Sequence, residues 1–342
     1  MHQLRPSAGA VAAVVVAFVF AGHPGVAASQ SLLERPPNLS GGWLGTRGTL
    51  QFNFVHRFGV SSAPLRKVTN SPTFLLAYQL PLPLLIGFNY ATSSDVAPVF
   101  PNEWEAFARY ARSGVALQVG YNQAARSADA ELTASRRVGA LRVMAIGRFL
   151  SNGYASDTVR YAAGGGATLR LTHGIALAGD VTTLLDRRSN EEIAWGAGLH
   201  VSIPYSPHTF SLQVTNTNTA TLQGASRGVD RVRGGFEFTI PFTLRRYFGG
   251  GQASGRTVTG TTVEMRQQAF VPSRLGVSEG ATVEWVNRDD VVHTVTADDG
   301  SWDSGPIEPG ATWRHTFERA GDHPFHCTPH PFMKGAVVVR QP

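Results

Sequence analysis

At 342 residues the chain is long enough for two domains of ordinary size, and with 16% charged residues and 37 glycines it suits turn-rich β-structure better than a helical bundle. Its formal charge of +6 hides an asymmetry. Residues 261–342 hold seven basic and eleven acidic side chains, a net −4, whereas the remainder holds 23 and 13, a net +10. The arginines are scattered singly, without a Lys/Arg cluster or a recognition motif, which argues against nucleic acid as a partner.

In chain order, the first element is an export signal, residues 1–28. Arg5 supplies the positive start, Ala8 to Ala21 is an unbroken run of 14 apolar or small residues, and Val26-Ala27-Ala28 forms a cleavage site before Ser29. The run is short for a spanning helix, which needs about 20 residues. No later segment is long and apolar enough to span as a helix. The mature protein is expected outside the cytoplasm, and a bacterial envelope fits best.

From residue 40 to 248 the dominant period is two. Ile193, Trp195, Ala197, Leu199, Val201 and Ile203 alternate with small or polar residues, as do Val115, Leu117, Val119 and Tyr121, and again Phe236, Phe238, Ile240, Phe242 and Leu244. Strands with one apolar and one polar face read this way. They are also long. Thr158 to Thr172 keeps its alternation with Arg160 and Arg170 on the polar side, whereas globular strands run about five or six residues and membrane-barrel strands about 9–11. Ten to twelve such segments predict an antiparallel barrel of the outer-membrane type, apolar outside and polar within, ending near the aromatic pair Tyr247-Phe248. A soluble sandwich is the competing reading. Phe54-Val55-His56-Arg57-Phe58-Gly59 resembles the opening strand of a family of bacterial β-barrel proteins that carries no assigned activity. His56 and His200 are read as structural strand residues, His200 on the polar side.

Residues 249–260, "GGGQASGRTVTG", read as a flexible linker. Residues 261–342 then change to short strands, predicted at Thr262–Met265, Arg274–Val277, Thr282–Asn287, Thr294–Ala297, Thr312–Phe317, Gly321–His326 and Gly335–Arg340. Seven or eight short strands in this length imply a small β-sandwich.

This last unit holds the single cysteine of the chain, in His326-Cys327-Thr328-Pro329-His330-Pro331-Phe332-Met333. Cys327, His330 and Met333 follow a Cys-x2-His-x2-Met spacing, and His293 stands upstream in Val291-Val292-His293-Thr294-Val295. Two imidazoles and a thiolate with a long thioether contact are the ligand set of a mononuclear blue-copper site. The thiolate is the soft donor, the imidazoles suit both oxidation states, and the weak axial sulfur disfavours a tetragonal Cu(II) geometry. Zinc is a competing occupant, but structural zinc sites favour several Cys or His ligands over a thioether. A cysteine hydrolase lacks support, because nothing nearby supplies an oxyanion-hole context.

The run Gly280–Val286, with His293, Asp303-Ser304-Gly305, Pro309-Gly310 and Phe325–Val339, resembles the cupredoxins, in particular their amicyanin branch. The resemblance covers roughly the last quarter of the chain. It implies ligation of one type 1 copper by His293, Cys327 and His330 with Met333 axial, and a periplasmic electron carrier instead of an enzyme. Cupredoxins often place Asn after the first histidine ligand to tie the two ligand loops together. Here Thr294 stands there, and its hydroxyl could make a similar bond. In multicopper oxidases two histidines flank the cysteine; here Thr328 follows it, and His326 should point away from the metal. His330, between prolines and ahead of Phe332, is expected to lie exposed in an apolar ring, a docking surface for transient redox partners. The acidic balance of this unit favours a basic partner, such as a c-type cytochrome or a periplasmic dehydrogenase. The leading expectation is therefore an outer-membrane barrel with a tethered periplasmic cupredoxin. The alternative is a copper-handling protein whose barrel passes copper or another solute.

Overall fold

The computed structural model describes residues 32–45, 48–60, 66–80, 82–96, 102–172, 174–203, 208–243, 258–289, 291–330 and 332–341. The signal segment, most of residues 249–260, Tyr247-Phe248 and Pro331 lie outside the described residues. Two compact units divide after Phe242. No described helix is long and apolar enough to cross a membrane.

The first unit is a closed barrel of twelve strands: β1 (Thr49–Val60), β2 (Val68–Gln79), β3 (Leu84–Ala91), β4 (Glu103–Arg112), β5 (Val115–Asn122), β6 (Ser127–Val138), β7 (Leu141–Leu150), β8 (Arg160–Arg170), β9 (Ile175–Leu184), β10 (Ala194–Ser202), β11 (Thr209–Thr215) and β12 (Arg233–Thr243). Each pairs antiparallel with its sequence neighbour, and β12 closes on β1. The strand count lies at the top of the expected range. Because the period is two, one face of every strand must point inward. That face is the polar one: Arg57, Arg109, Arg148, Arg160, Glu103, Glu105, Glu131 and His200 are all buried, while Leu117, Val119, Tyr121, Leu199 and Leu212 are exposed. Among the described residues every large exposed hydrophobic belongs to this unit. His56 packs against Phe54, Phe58 and Phe236.

The two ends of the barrel differ. β2 and β3, β4 and β5, β6 and β7, β8 and β9, and β10 and β11 are joined by two to six residues at one end, where β1 also begins and β12 ends. Ser113-Gly114, one of two two-residue connections, has φ of +50° and +82°, the left-handed pair of a hairpin turn. A Cβ at Gly114 would stand 2.6 Å from the Ser135 carbonyl oxygen, so this position requires glycine. Apart from 123–126, connections at the other end, such as 151–159 and 216–232, are longer.

The lumen is filled from both ends. Residues 32–45 enter at the short-turn end, where Glu34 pairs with Arg137, Arg142 and Arg170. They reach their deepest point at Asn38, whose Nδ2 donates to Asp180 and whose Oδ1 accepts from Arg57 at 3.0 Å and from Thr217 at 2.8 Å. They return through Trp43, which packs on Leu75, Ala77, Leu85 and Phe107. From the long-loop end, the segment after β11 descends. Thr217, Thr219, Thr221, Gln223 and Ser226 are all fully buried, and Thr219 and Thr221 donate to Glu103. Arg148 ties the two insertions, donating to the Asn38 carbonyl at 2.8 Å, to Ser226 at 3.0 Å and to Glu131. A cavity of about 30 Å³ remains between them, enough to hold water.

The second unit is a sandwich. One sheet runs β13 (Val258–Thr259), β16 (Arg274–Ser278), β21 (Lys334–Arg340), β20 (Gly321–His326) and β18 (Thr296–Ala297). The other runs β15 (Ala269–Val271), β14 (Thr262–Arg266), β17 (Thr282–Asn287) and β19 (Thr312–Thr316). Inward positions of both sheets, among them Val263, Met265, Leu275, Val283, Trp285, Phe325 and Val337, form one core with Cys327 and Met333 at its edge. Three sequence expectations change. The linker ends earlier, since Val258–Thr259 pair in parallel with β16. Ala269–Val271 form an added strand, and β18 is shorter than expected because His293 is drawn aside to bridge Ile307.

Substituting Glu34→Gln leaves three arginines facing a neutral amide, with Arg142 buried. Breaking a buried ion pair costs about 3 kcal/mol at the low end of its range, appropriate here because Arg137 and Arg170 are partly exposed. The folded barrel band on unboiled gels should be lost at a lower temperature in this variant, whereas Arg137→Gln should change it little.

Candidate metal centre

Cys327 follows β20 directly, and the chain then makes two successive three-residue turns. His330 N–H donates to the Cys327 carbonyl at 3.0 Å, and Met333 N–H to the His330 carbonyl at 2.8 Å. Side chains three apart in such turns fall on the same side. This is the physical content of the Cys-x2-His-x2-Met spacing. Cys327 N–H donates to the Met333 carbonyl at 3.1 Å and closes the loop. His293 arrives from the other side of the core, held to Ile307 by paired backbone bonds of 2.7 and 3.2 Å.

The structure brings the expected residues together. His293 Nδ1 lies 3.6 Å and His330 Nδ1 3.4 Å from Cys327 Sγ, and the three donor atoms all fall within 4.8 Å of one another. Cys327 and His293 have no exposed surface, and Met333 packs in the same core cluster. His330 departs from expectation. It is 2% exposed instead of open to solvent, and its buried Nε2 lacks a hydrogen-bond partner among the described residues.

Electrostatics prepare the donors. Burial works against ionising the Cys327 thiol, but hydrogen bonds with His293 and His330 and from the Thr294 N–H outweigh it and bring the thiol down to about 6. A thiolate near neutrality is the form a soft metal takes. Burial also disfavours charge on His293, yet Asp289 and Cys327 outweigh it and raise this imidazole to about 9 in the metal-free site.

Asp289 was not legible as a site residue, although it stands four positions before His293. Its Oδ2 lies 2.8 Å from His293 Nε2. A carboxylate there holds a proton on Nε2, so that it is Nδ1, facing Cys327, that gives up its proton to take a metal. Thr294 makes the tie that its position suggested: its hydroxyl accepts from Thr328 N–H at 2.8 Å, and its own N–H donates to Cys327 Sγ at 3.3 Å. His326 turns outward to Asp298 Oδ1 at 2.6 Å. His56 and His200 remain in the barrel, far along the chain from this loop, one in an aromatic cluster and the other in the lumen wall.

A two-sheet sandwich with His, Cys and His converging at the edge of its core is the arrangement of a small copper-binding redox domain. The family model for the cupredoxin-like domain matches residues 246–339. Amicyanin of Paracoccus denitrificans is 37% identical over 82 residues, covering 22% of this chain and 63% of that protein. Amicyanin-alpha of Methylorubrum extorquens is 31% identical over 84 residues, covering 23% of this chain and 71% of that protein. Among solved structures, a purple cupredoxin from Nitrosopumilus maritimus is 25% identical over 24% of this chain and all of its own, with a TM-score of 0.23. A Cu(I) amicyanin variant is 32% identical over 23% of this chain and 80% of its own, with a TM-score of 0.22. The chain thus spans somewhat less than two thirds of the length of the Paracoccus amicyanin it matches. Through its C-terminal domain, the chain belongs to the cupredoxins. Membership implies copper as the cofactor of this domain.

Replacing Thr294 with Val keeps the shape but removes the acceptor for Thr328 N–H. Chemical denaturation of the copper domain should show a loss of about 1 kcal/mol, which Thr294→Ser should largely restore.

Proposed function

We propose that the C-terminal domain is an electron carrier using one type 1 copper, which the Cys327 thiolate and the Nδ1 atoms of His293 and His330 would hold, with the Met333 thioether as a fourth, weaker donor. The observation that carries this reading is the buried Cys327 Sγ with two imidazole nitrogens at 3.4 and 3.6 Å. The donor set suits copper: one soft thiolate, two imidazoles and a nearby thioether. When bound, the metal supplies one-electron chemistry by cycling between Cu(I) and Cu(II). The protein keeps the donors in place across that cycle. Asp289 fixes the ring and tautomer of His293, Thr294 joins the two ligand segments, and the core excludes water from the sulfur. Little then has to move when an electron arrives.

We further propose that the barrel lies in an outer membrane and anchors the carrier on the periplasmic side. The inverted burial supports this reading. Charged side chains face inward and large apolar ones face out over the whole wall, an exposure that water does not sustain but lipid does. With short turns and both strand termini at one end, the chain leaves β12 on the side that faces the periplasm in such barrels. Tethering keeps a carrier at high effective concentration near the membrane. The net −4 of residues 261–342 favours a basic partner, a c-type cytochrome or a periplasmic dehydrogenase. The filled lumen disfavours the competing reading of an open copper or solute pore.

Copper-loaded protein should show an intense thiolate-to-Cu(II) absorption band in the orange-red that disappears in Cys327→Ser; no band in the parent protein would sink the carrier reading. The anchor is checked separately. Expressed protein should fractionate with outer membranes and shift mobility on heating, and a freely soluble, unshifted protein would refute it.

A further inference from the structure

The hairpin between β14 and β15 turns at Gln267-Gln268, and both residues have φ of +55°. Two consecutive left-handed residues give the turn whose twist suits a hairpin, but Asn and Gly normally occupy it. Glutamine carries a Cβ and is strained there. Such strain persists where the surroundings over-determine the conformation, and it concentrates at functional sites.

What over-determines this turn is Asp289. Its Oδ1 accepts from Gln267 N–H at 2.5 Å and its Oδ2 from Gln268 N–H at 2.8 Å. The same Oδ2 accepts from His293 Nε2 at 2.8 Å. The carboxylate is anchored from behind as well: Asp289 N–H donates to Asn287 Oδ1 at 2.9 Å, and Asn287 Nδ2 donates to the carbonyls of Val291 and Ile307. Ile307 is the bridge partner of His293. One carboxylate therefore joins a strained turn in the outer hairpin to the imidazole that faces Cys327.

We propose that the Gln267-Gln268 turn is a positioning device for the copper centre, its two backbone N–H groups clamping Asp289 and thereby setting how strongly that carboxylate engages His293. This rests on the copper reading above. Two N–H donors take up part of the carboxylate charge and fix its direction. By holding its oxygen against Nε2 they let it push electron density through the ring toward the metal, and density there favours Cu(II). The turn is a positioning element, acting through Asp289 without touching the site.

The test uses the full-length protein in detergent and a double-mutant cycle. Asp289→Asn should raise the midpoint potential. A Gly-Gly insertion between Gln267 and Gln268 displaces the two N–H groups, and in that background the effect of Asp289→Asn should shrink to less than half. Full additivity would overturn the proposal. In metal-free protein, amide exchange at Gln267 and Gln268 should quicken at least about tenfold in Asp289→Ala, the loss expected for a charge-assisted bond; unchanged exchange would also overturn it. The paired change Gln267→Asn with Gln268→Gly keeps both N–H groups while relieving strain. It should raise the unfolding midpoint and leave the potential unmoved, and a shifted potential would count against the clamp. Absence of the absorption band in the parent protein would fell the copper reading and this proposal together, whereas a normal band with additive effects fells this proposal alone.

Discussion

The convergence of two imidazole Nδ1 atoms on one buried sulfur is the constraint on which the C-terminal domain turns. A thiol with no exposed surface would ordinarily stay protonated and inert, since burial penalises the thiolate. Here His293, His330 and the Thr294 N–H reverse that preference. Much of the surrounding architecture serves to hold those groups. β20 presents Cys327, paired turns bring His330 and Met333 to the same side, and the Ile307 bridge with Asp289 holds His293 at the correct angle. The ligand segments are far apart in sequence, so the core beneath them does the positioning.

The barrel answers a different constraint. Once a period-two sheet closes, its inner face must be satisfied without bulk water. Arg57, Arg148 and Glu103 find partners in two inserted segments that meet at Asn38 and Thr217, and Glu131 pairs with Arg148 on the neighbouring strand. The insertions supply many of these partners and occupy the lumen at once.

Local pattern made a good part of this legible. Alternation at Val115–Tyr121 and Ile193–Ile203 identified the strands and the face each turns outward, because a two-residue repeat has only two faces. The Cys-x2-His-x2-Met spacing identified three residues of one loop, because a three-residue turn repeats at that interval. Other features had no local signal. Residues 32–45 carry no periodicity, and their place in the lumen follows from arginines on β6, β7 and β8 that are about a hundred residues or more away. The exposure expected of His330 was read from its proline neighbours, but burial is set by what packs over a side chain and not by adjacent residues.

The amino-acid sequence by itself determined the strand pattern and the expectation of two units and of a sulfur-and-imidazole donor set, since each is carried by residue type and short-range spacing. Only the tertiary structure decided that the twelve strands close on one another, that the lumen is filled from both ends, and that Asp289 joins the Gln267-Gln268 turn to His293. Those are contacts between segments remote in sequence. A donor and acceptor twenty or a hundred residues apart leave no periodic mark on the chain, and their pairing exists only once the fold has brought them within hydrogen-bonding distance.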